Sequence, residues 1–256
     1  MNRPAFDTSS IPLSTDHVNI VIGPNGVGKT TLLNTLAGEY DAAGNDTHTV
    51  NPDVAYATQT HGLLDILTVA QQVSLISSLS DDPRTARGKS KNSALNALYN
   101  LLVPLIGSRV GMLSGGQEQL VSVWSTCTLS RSLYLFDEPL SGVDPANSMI
   151  VARAIASLVT QETNENAPQR TVILTLHDMK QIALFDDPWL VVLSPDEDAL
   201  PFSSSGENSH DGEELAHPLI RTGFASQLMQ QLQLSDNASS QEIFSSLLSP
   251  LQPTHE

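Results

Sequence analysis

Short apolar runs, separated by polar stretches marked with glycine, set the rhythm of this chain. Val18–Ile22, Val54–Ala57, Leu133–Phe136, Thr171–Leu176 and Trp189–Leu193 show little alternation, the pattern of strands buried on both faces of a parallel sheet. Between them the apolar positions fall at helical spacing. One helix is predicted over Thr31–Ala37, closed by Gly38. From Gly62 to Gly111 the apolar set Leu63, Ile66, Leu67, Ala70, Val73, Leu75, Ile76, Leu79, Leu95, Leu98, Leu101 and Leu102 predicts further helices. Gly115 opens another, to about Ser130, and Asp144-Pro145 reads as an N-cap with proline in the first turn. Strands alternating with helices predict an α/β fold: a mostly parallel sheet flanked by helices, with a helical subdomain inserted at about residues 60–130. In such a sheet a ligand belongs at the carboxyl ends of the strands, where Gly23, Asp137 and His177 stand. Past residue 200 the pattern changes. Ser203–Glu214 is low-complexity and Phe224–Leu248 regains helical periodicity, so residues 1–200 are expected to form the main unit and 201–256 a tail with a small helical appendage.

Composition narrows the class. The chain has 256 residues, 40% of them hydrophobic, and no apolar run near the roughly 20 residues needed to cross a bilayer. A cationic and then apolar leader is missing from the start of the sequence, so a cytoplasmic protein is expected. The single cysteine, Cys127, fits a reducing compartment and reads as a small buried apolar residue. Net charge is −16, opposite in sign to a nucleic-acid footprint, so no nucleic-acid partner is expected. Residues after Ser194 carry ten acidic side chains and one basic one, Arg221. Against that trend, Arg84, Arg87, Lys89 and Lys91 gather in the polar stretch Asp81–Asn92, read as a solvated loop.

The chemistry begins directly after the first apolar run. Gly23-Pro24-Asn25-Gly26-Val27-Gly28-Lys29-Thr30-Thr31 matches the phosphate-binding pattern G-x-x-x-x-G-K-[ST]. Glycines let backbone N–H groups curl round phosphate oxygens, and the helix that follows aims its positive end at the same anion. Lys29 supplies a point charge, and the Thr30 hydroxyl can ligate Mg²⁺. Asp137 ends an apolar strand, the place for a carboxylate that holds Mg²⁺, and Glu138 after it is the candidate to polarise an attacking water. In Leu113-Ser114-Gly115-Gly116-Gln117, a hydroxyl and glycine amides precede a helix and make a second anion site.

Taken in order, GPNGVGKTT, Gln59 in AYATQ, LSGGQ, LYLFDEP, SGVD at Ser141–Asp144 and TLHD at Thr175–Asp178 resemble the ATPase cassette of ATP-binding cassette (ABC) proteins, over roughly Val18 to Ser194. The resemblance implies a P-loop NTPase-type sheet with a trimmed antiparallel β subdomain. It implies ATP and Mg²⁺ as ligands, with Thr30, Gln59 and Asp137 around the metal and Glu138, His177 and Gln59 around the reacting water and γ-phosphate. It also implies that Ser114, Gly115, Gly116, Gln117 and Asp144 meet the ATP of a second cassette, so that two copies close head to tail, and that a separate multi-spanning permease anchors the chain to the inner face of the membrane. A soluble regulatory ABC module is the alternative. Family members usually carry an adenine-stacking aromatic before the phosphate loop; here Phe6 is the candidate. After LSGGQ the family commonly has arginine three residues on, where this chain has Leu120.

Overall fold

The computed structural model describes residues 6–41, 43–47, 51–59, 62–79, 90–160, 169–194 and 219–231. Among these residues six strands make one sheet: β1 Asn19–Ile22, β2 Val54–Ala57, β3 Leu133–Phe136, β4 Thr171–Thr175, β5 Trp189–Ser194 and β6 Leu219–Phe224. Their spatial order is β2-β3-β4-β1-β5-β6. The first five are parallel, as their unbroken apolar character predicts, and β6 runs antiparallel along β5. The helices are α1 Lys29–Leu36, α2 Val69–Ser78, α3 Ser93–Leu102, α4 Gly115–Thr128, α5 Pro145–Thr160 and α6 Ala225–Gln231.

Side chains alternate across the sheet and build two core layers. Ile20, Ile22, Val172 and Leu174 face α4 and α5, in the layer that holds Trp124 and Leu158. Val21, Leu135, Ile173 and Val191 face the other way and pack with Leu32 and Leu33 of α1. Phe6 belongs to this second layer at 2% exposure, so the expected adenine platform is corrected: the ring is spent on covering the sheet. Asn19, fully buried in β1, has its amide taken up by the Ser14 and Val172 carbonyls at 2.8 and 3.0 Å.

Helix starts follow the side chains that cap them. Thr68 and Gln71 form a capping box at α2, Asn92 accepts from the first amides of α3, and Ser114 and Gln117 box the start of α4. α2, α3 and the first turns of α4 make the helical layer expected between residues 60 and 130. Antiparallel structure is scant among the described residues: β6 and two isolated bridges, Tyr40 with Asp46 and Thr68 with Arg109.

β6 was not expected from the sequence. It adds a strand from beyond residue 200 to the main sheet, so the sheet does not stop at the boundary drawn there. Its sequence, Leu-Ile-Arg-Thr-Gly-Phe, mixes polar and apolar residues, as an edge strand covered on one side can. Phe224 anchors it edge-on to Trp189 and His17, both at 5.0 Å between ring centres. Helix follows only over Ala225–Gln231; the rest of Phe224–Leu248 lies outside the described residues, as do Ser203–Glu214 and most of the basic stretch from Arg84 to Lys89.

Candidate active site

β1 delivers the chain into the glycine loop, and the loop delivers it into α1. Gly26 and Gly28 take φ of 82° and 106°, which a side chain would resist, and this is what curls the loop. Gly23 is needed for room: a Cβ there would lie 2.7 Å from the Leu193 carbonyl oxygen and 2.8 Å from a Val27 methyl. Val27 packs with the second core layer, so its side chain holds the loop down while its neighbours face outward.

A cleft of about 490 Å³ opens over this loop, lined by Asn25, Gly26, Gly28, Lys29, Thr30, Thr31, Gln59, Glu138 and His177. Residues from four separate stretches of sequence thus meet at the carboxyl edge of the sheet. Lys29 Nζ donates to the carbonyls of Gly23 (2.8 Å) and Pro24 (3.1 Å). Burial lowers its pKa, and the negative charges of Glu138 and Asp137 work against that fall. Gln59 and His177 are exposed on the cleft wall.

Asp137 lies beneath the cleft floor at 3% exposure, and both its oxygens are used. Thr30 Oγ1 donates to Oδ2 at 2.8 Å and Thr175 Oγ1 donates to Oδ1 at 2.7 Å. Glu138 takes φ of 51°, a left-handed backbone that costs a residue with a side chain about 1–2 kcal/mol. Its N–H donates to Thr175 Oγ1 at 2.8 Å, and its carbonyl accepts from Ser141 N. Thr175 is the residue that sequence reasoning did not single out. The available signal was a polar side chain closing the apolar run Val172–Leu174.

The hydroxyl of Thr30 and the carboxylate of Asp137 form a hard, all-oxygen pair that suits Mg²⁺ arriving with a phosphate ligand. Among the described residues no three His, Cys, Asp or Glu side chains converge, so the donor set does not suit a zinc-type centre.

Ser114, Gly116, Gln117 and Asp144 are not part of this cleft. They line a second one, of about 380 Å³, with Asn147, Gly142 and an apolar wall of Leu101, Pro104, Leu105, Leu120 and Val143. Gly115 stands exposed at its rim. Two helix N-termini meet here, those of α4 and α5. Asp144 caps α5, accepting from the amides of Ala146 and Asn147 at 3.1 Å. Gly142, with φ of 70°, lets the turn before α5 press against α4 so closely that a Cβ on Gly116 would lie 2.2 Å from the Gly142 carbonyl oxygen. One chain therefore carries two clefts with no lining residue in common.

The comparisons with known proteins agree. Residues 6–141 match the family model described as ABC transporter. The phosphonates import ATP-binding protein PhnC 1 of Haloquadratum walsbyi is 30% identical over 205 residues, 73% of this chain and 64% of that protein. The probable multidrug ABC transporter ATP-binding protein YbhF of Escherichia coli is 31% identical over 159 residues, 57% of this chain and 27% of that protein. The chain thus spans less than two thirds of either relative's own length. A solved structure titled as the ATP binding subunit of an ABC transporter superposes with a TM-score of 0.58 at 19% identity, covering 91% of this chain and 89% of that one, which speaks for the fold alone. On sequence and architecture together, the chain belongs to the ABC transporter family, with a mostly parallel sheet flanked by helices of the P-loop NTPase type.

Proposed function

We propose that this chain hydrolyses ATP with Mg²⁺ as the cytoplasmic subunit of an ABC transporter, closing on a second copy and powering a separate membrane permease. The observation that carries this reading is the gathering of Lys29, Thr30, Glu138, Gln59 and His177 on one cleft over Asp137. The amides of Gly26 to Thr31, the α1 N-terminus and Lys29 hold the phosphates. Thr30 and Asp137 hold Mg²⁺, which neutralises phosphate charge. Glu138 takes the proton of the attacking water. His177 and Gln59 meet the γ-phosphate and the water from the opposite wall. Adenine is bound without Phe6. Ser114, Gly116, Gln117 and the α4 N-terminus supply the face that closes on the ATP of the other copy.

A permease needs an apolar landing site, and one candidate lies just past Gln59. Ile66 and Met112 are each 81% exposed, with Leu64 at 48%. The segments that carry them are tied together by bonds from Gly111 N to the Asp65 carbonyl and from Val110 N to the Leu67 carbonyl. The test is to express the chain in its own cells and separate membranes from cytosol. The parent chain is expected in the membrane fraction, and the pair Ile66→Asp and Met112→Asp in the cytosol with its basal ATPase unchanged. A parent chain found wholly in the cytosol would favour the regulatory-module reading instead.

A further inference from the structure

β4 lies between β3, which leads into Asp137, and β1, which leads into the phosphate loop. The pairing of Phe136 with Leu174 brings the last residue of β4 level with Asp137, and it pairs with Val21, two residues before the loop begins at Gly23. That residue, Thr175, is fully buried in a strand whose other buried positions are valine, isoleucine and leucine. Valine would fill the same space with the same branching at Cβ, and it would bring no polar atom into the core. The hydroxyl is worth its desolvation only through the bonds it makes, and both go to the acidic pair. It gives its proton to Asp137 Oδ1 and accepts the N–H of Glu138.

We infer that Thr175 is a positioning residue for hydrolysis: its hydroxyl orients the Asp137 carboxylate toward Thr30 and holds the left-handed peptide on which Glu138 stands. The inference rests on reading the cleft as an ATP-hydrolysing site. A carboxylate gripped at one oxygen can still turn about its Cβ–Cγ bond. Gripped at both, by Thr175 and Thr30, it presents a fixed edge to the cleft. The N–H of Glu138 is anchored on Thr175 at the residue whose backbone adopts φ of 51°. Without that acceptor the peptide is free to relax toward the ordinary right-handed or extended regions, and the Glu138 carboxylate moves with it. One hydroxyl thus serves the two functions that must act together, metal placement and water activation, although it touches neither ligand.

The test compares Thr175→Val, which removes only the hydroxyl, with Thr175→Ser, which keeps it. ATP affinity is measured by calorimetry with and without Mg²⁺, and turnover is measured across a Mg²⁺ titration. The valine chain is expected to bind metal-free ATP within about twofold of the parent. Its gain in affinity on adding Mg²⁺ is expected to shrink, its half-saturating Mg²⁺ to rise several-fold, and its turnover to fall about 10- to 100-fold, in line with a misplaced general base. The serine chain is expected to recover most of each loss. A valine chain with the parent's Mg²⁺ response and turnover, or a serine chain as impaired as valine, overturns the inference. If the valine chain does not fold, Thr175→Ala against Thr175→Ser isolates the hydroxyl in the same way. A parent chain without Mg²⁺-dependent turnover refutes the ATPase reading itself, and the Thr175 assignment falls with it as a role in hydrolysis.

Discussion

Two adjacent glycines should respond in opposite directions to the same substitution. Around Gly115 nothing lies within 4 Å of where a Cβ would stand, whereas at Gly116 that atom would sit 2.2 Å from the Gly142 oxygen and 3.0 Å from the Gly142 carbonyl carbon. Ordinary contact begins at 3.4 Å, so the α4 N-terminus and the Ser141–Asp144 turn must part by roughly 1 Å. Both surfaces are backbone and cannot yield by changing rotamer. The cost should therefore stand at the upper end of overpacking, about 3 kcal/mol. For a domain of this size that lowers Tm by about 6–12 °C. Gly115→Ala, at the first helical position, instead removes unfolded-chain entropy and gains about 0.4–1 kcal/mol. Thermal melts of the nucleotide-free protein decide the matter. Equal stability of Gly116→Ala and the parent, or equal loss in both variants, would refute the close approach of the LSGGQ helix to the turn.

Glu138→Gln should cut ATP turnover by about 10²–10⁴ while calorimetric ATP affinity stays near the parent value, since the amide keeps the shape but cannot take a proton; undiminished turnover would remove Glu138 from its role. Lys29→Ala should weaken ATP binding itself, because the ammonium faces phosphate in the ground state as well as at the transition state. The parent's ATP affinity should also decline on the alkaline side at lower pH than an exposed lysine would give, because burial lowers the Lys29 pKa. An affinity identical in parent and Lys29→Ala would contradict this.

Much of the sheet was legible because its strands are apolar runs closed by punctuation. Val54–Ala57 and Leu133–Phe136 stand where the sequence places them, and the others differ by a residue at an end. The phosphate loop was legible because its spacing is local. What could not be read depends on contacts between distant residues. Phe6 looks the same in a sequence whether it faces a ligand or the core, and packing against Val21 and Leu33 decides which. β6, Leu-Ile-Arg-Thr-Gly-Phe, is neither an apolar run nor a clean alternation, and its partner β5 lies 25 residues earlier, from Ser194 to Leu219. Thr175 gained its role from Asp137 and Glu138, 38 and 37 positions away. The partition of the site residues between two clefts is likewise a tertiary fact.

That partition makes the most direct test possible. A Ser114→Arg chain keeps the Lys29 cleft and loses the Ser114 face; a Lys29→Ala chain does the reverse. Neither should hydrolyse ATP alone. Mixed, they should form dimers in which one composite site has Lys29 from one copy and Ser114 from the other, while the second site is doubly broken. Random pairing of such a symmetric dimer then restores up to about a quarter of the parent activity. Recovered ATPase activity in the mixture, rising with total protein concentration, is the predicted result. A mixture as inactive as its parts would contradict the claim that two copies of this chain complete each other's site.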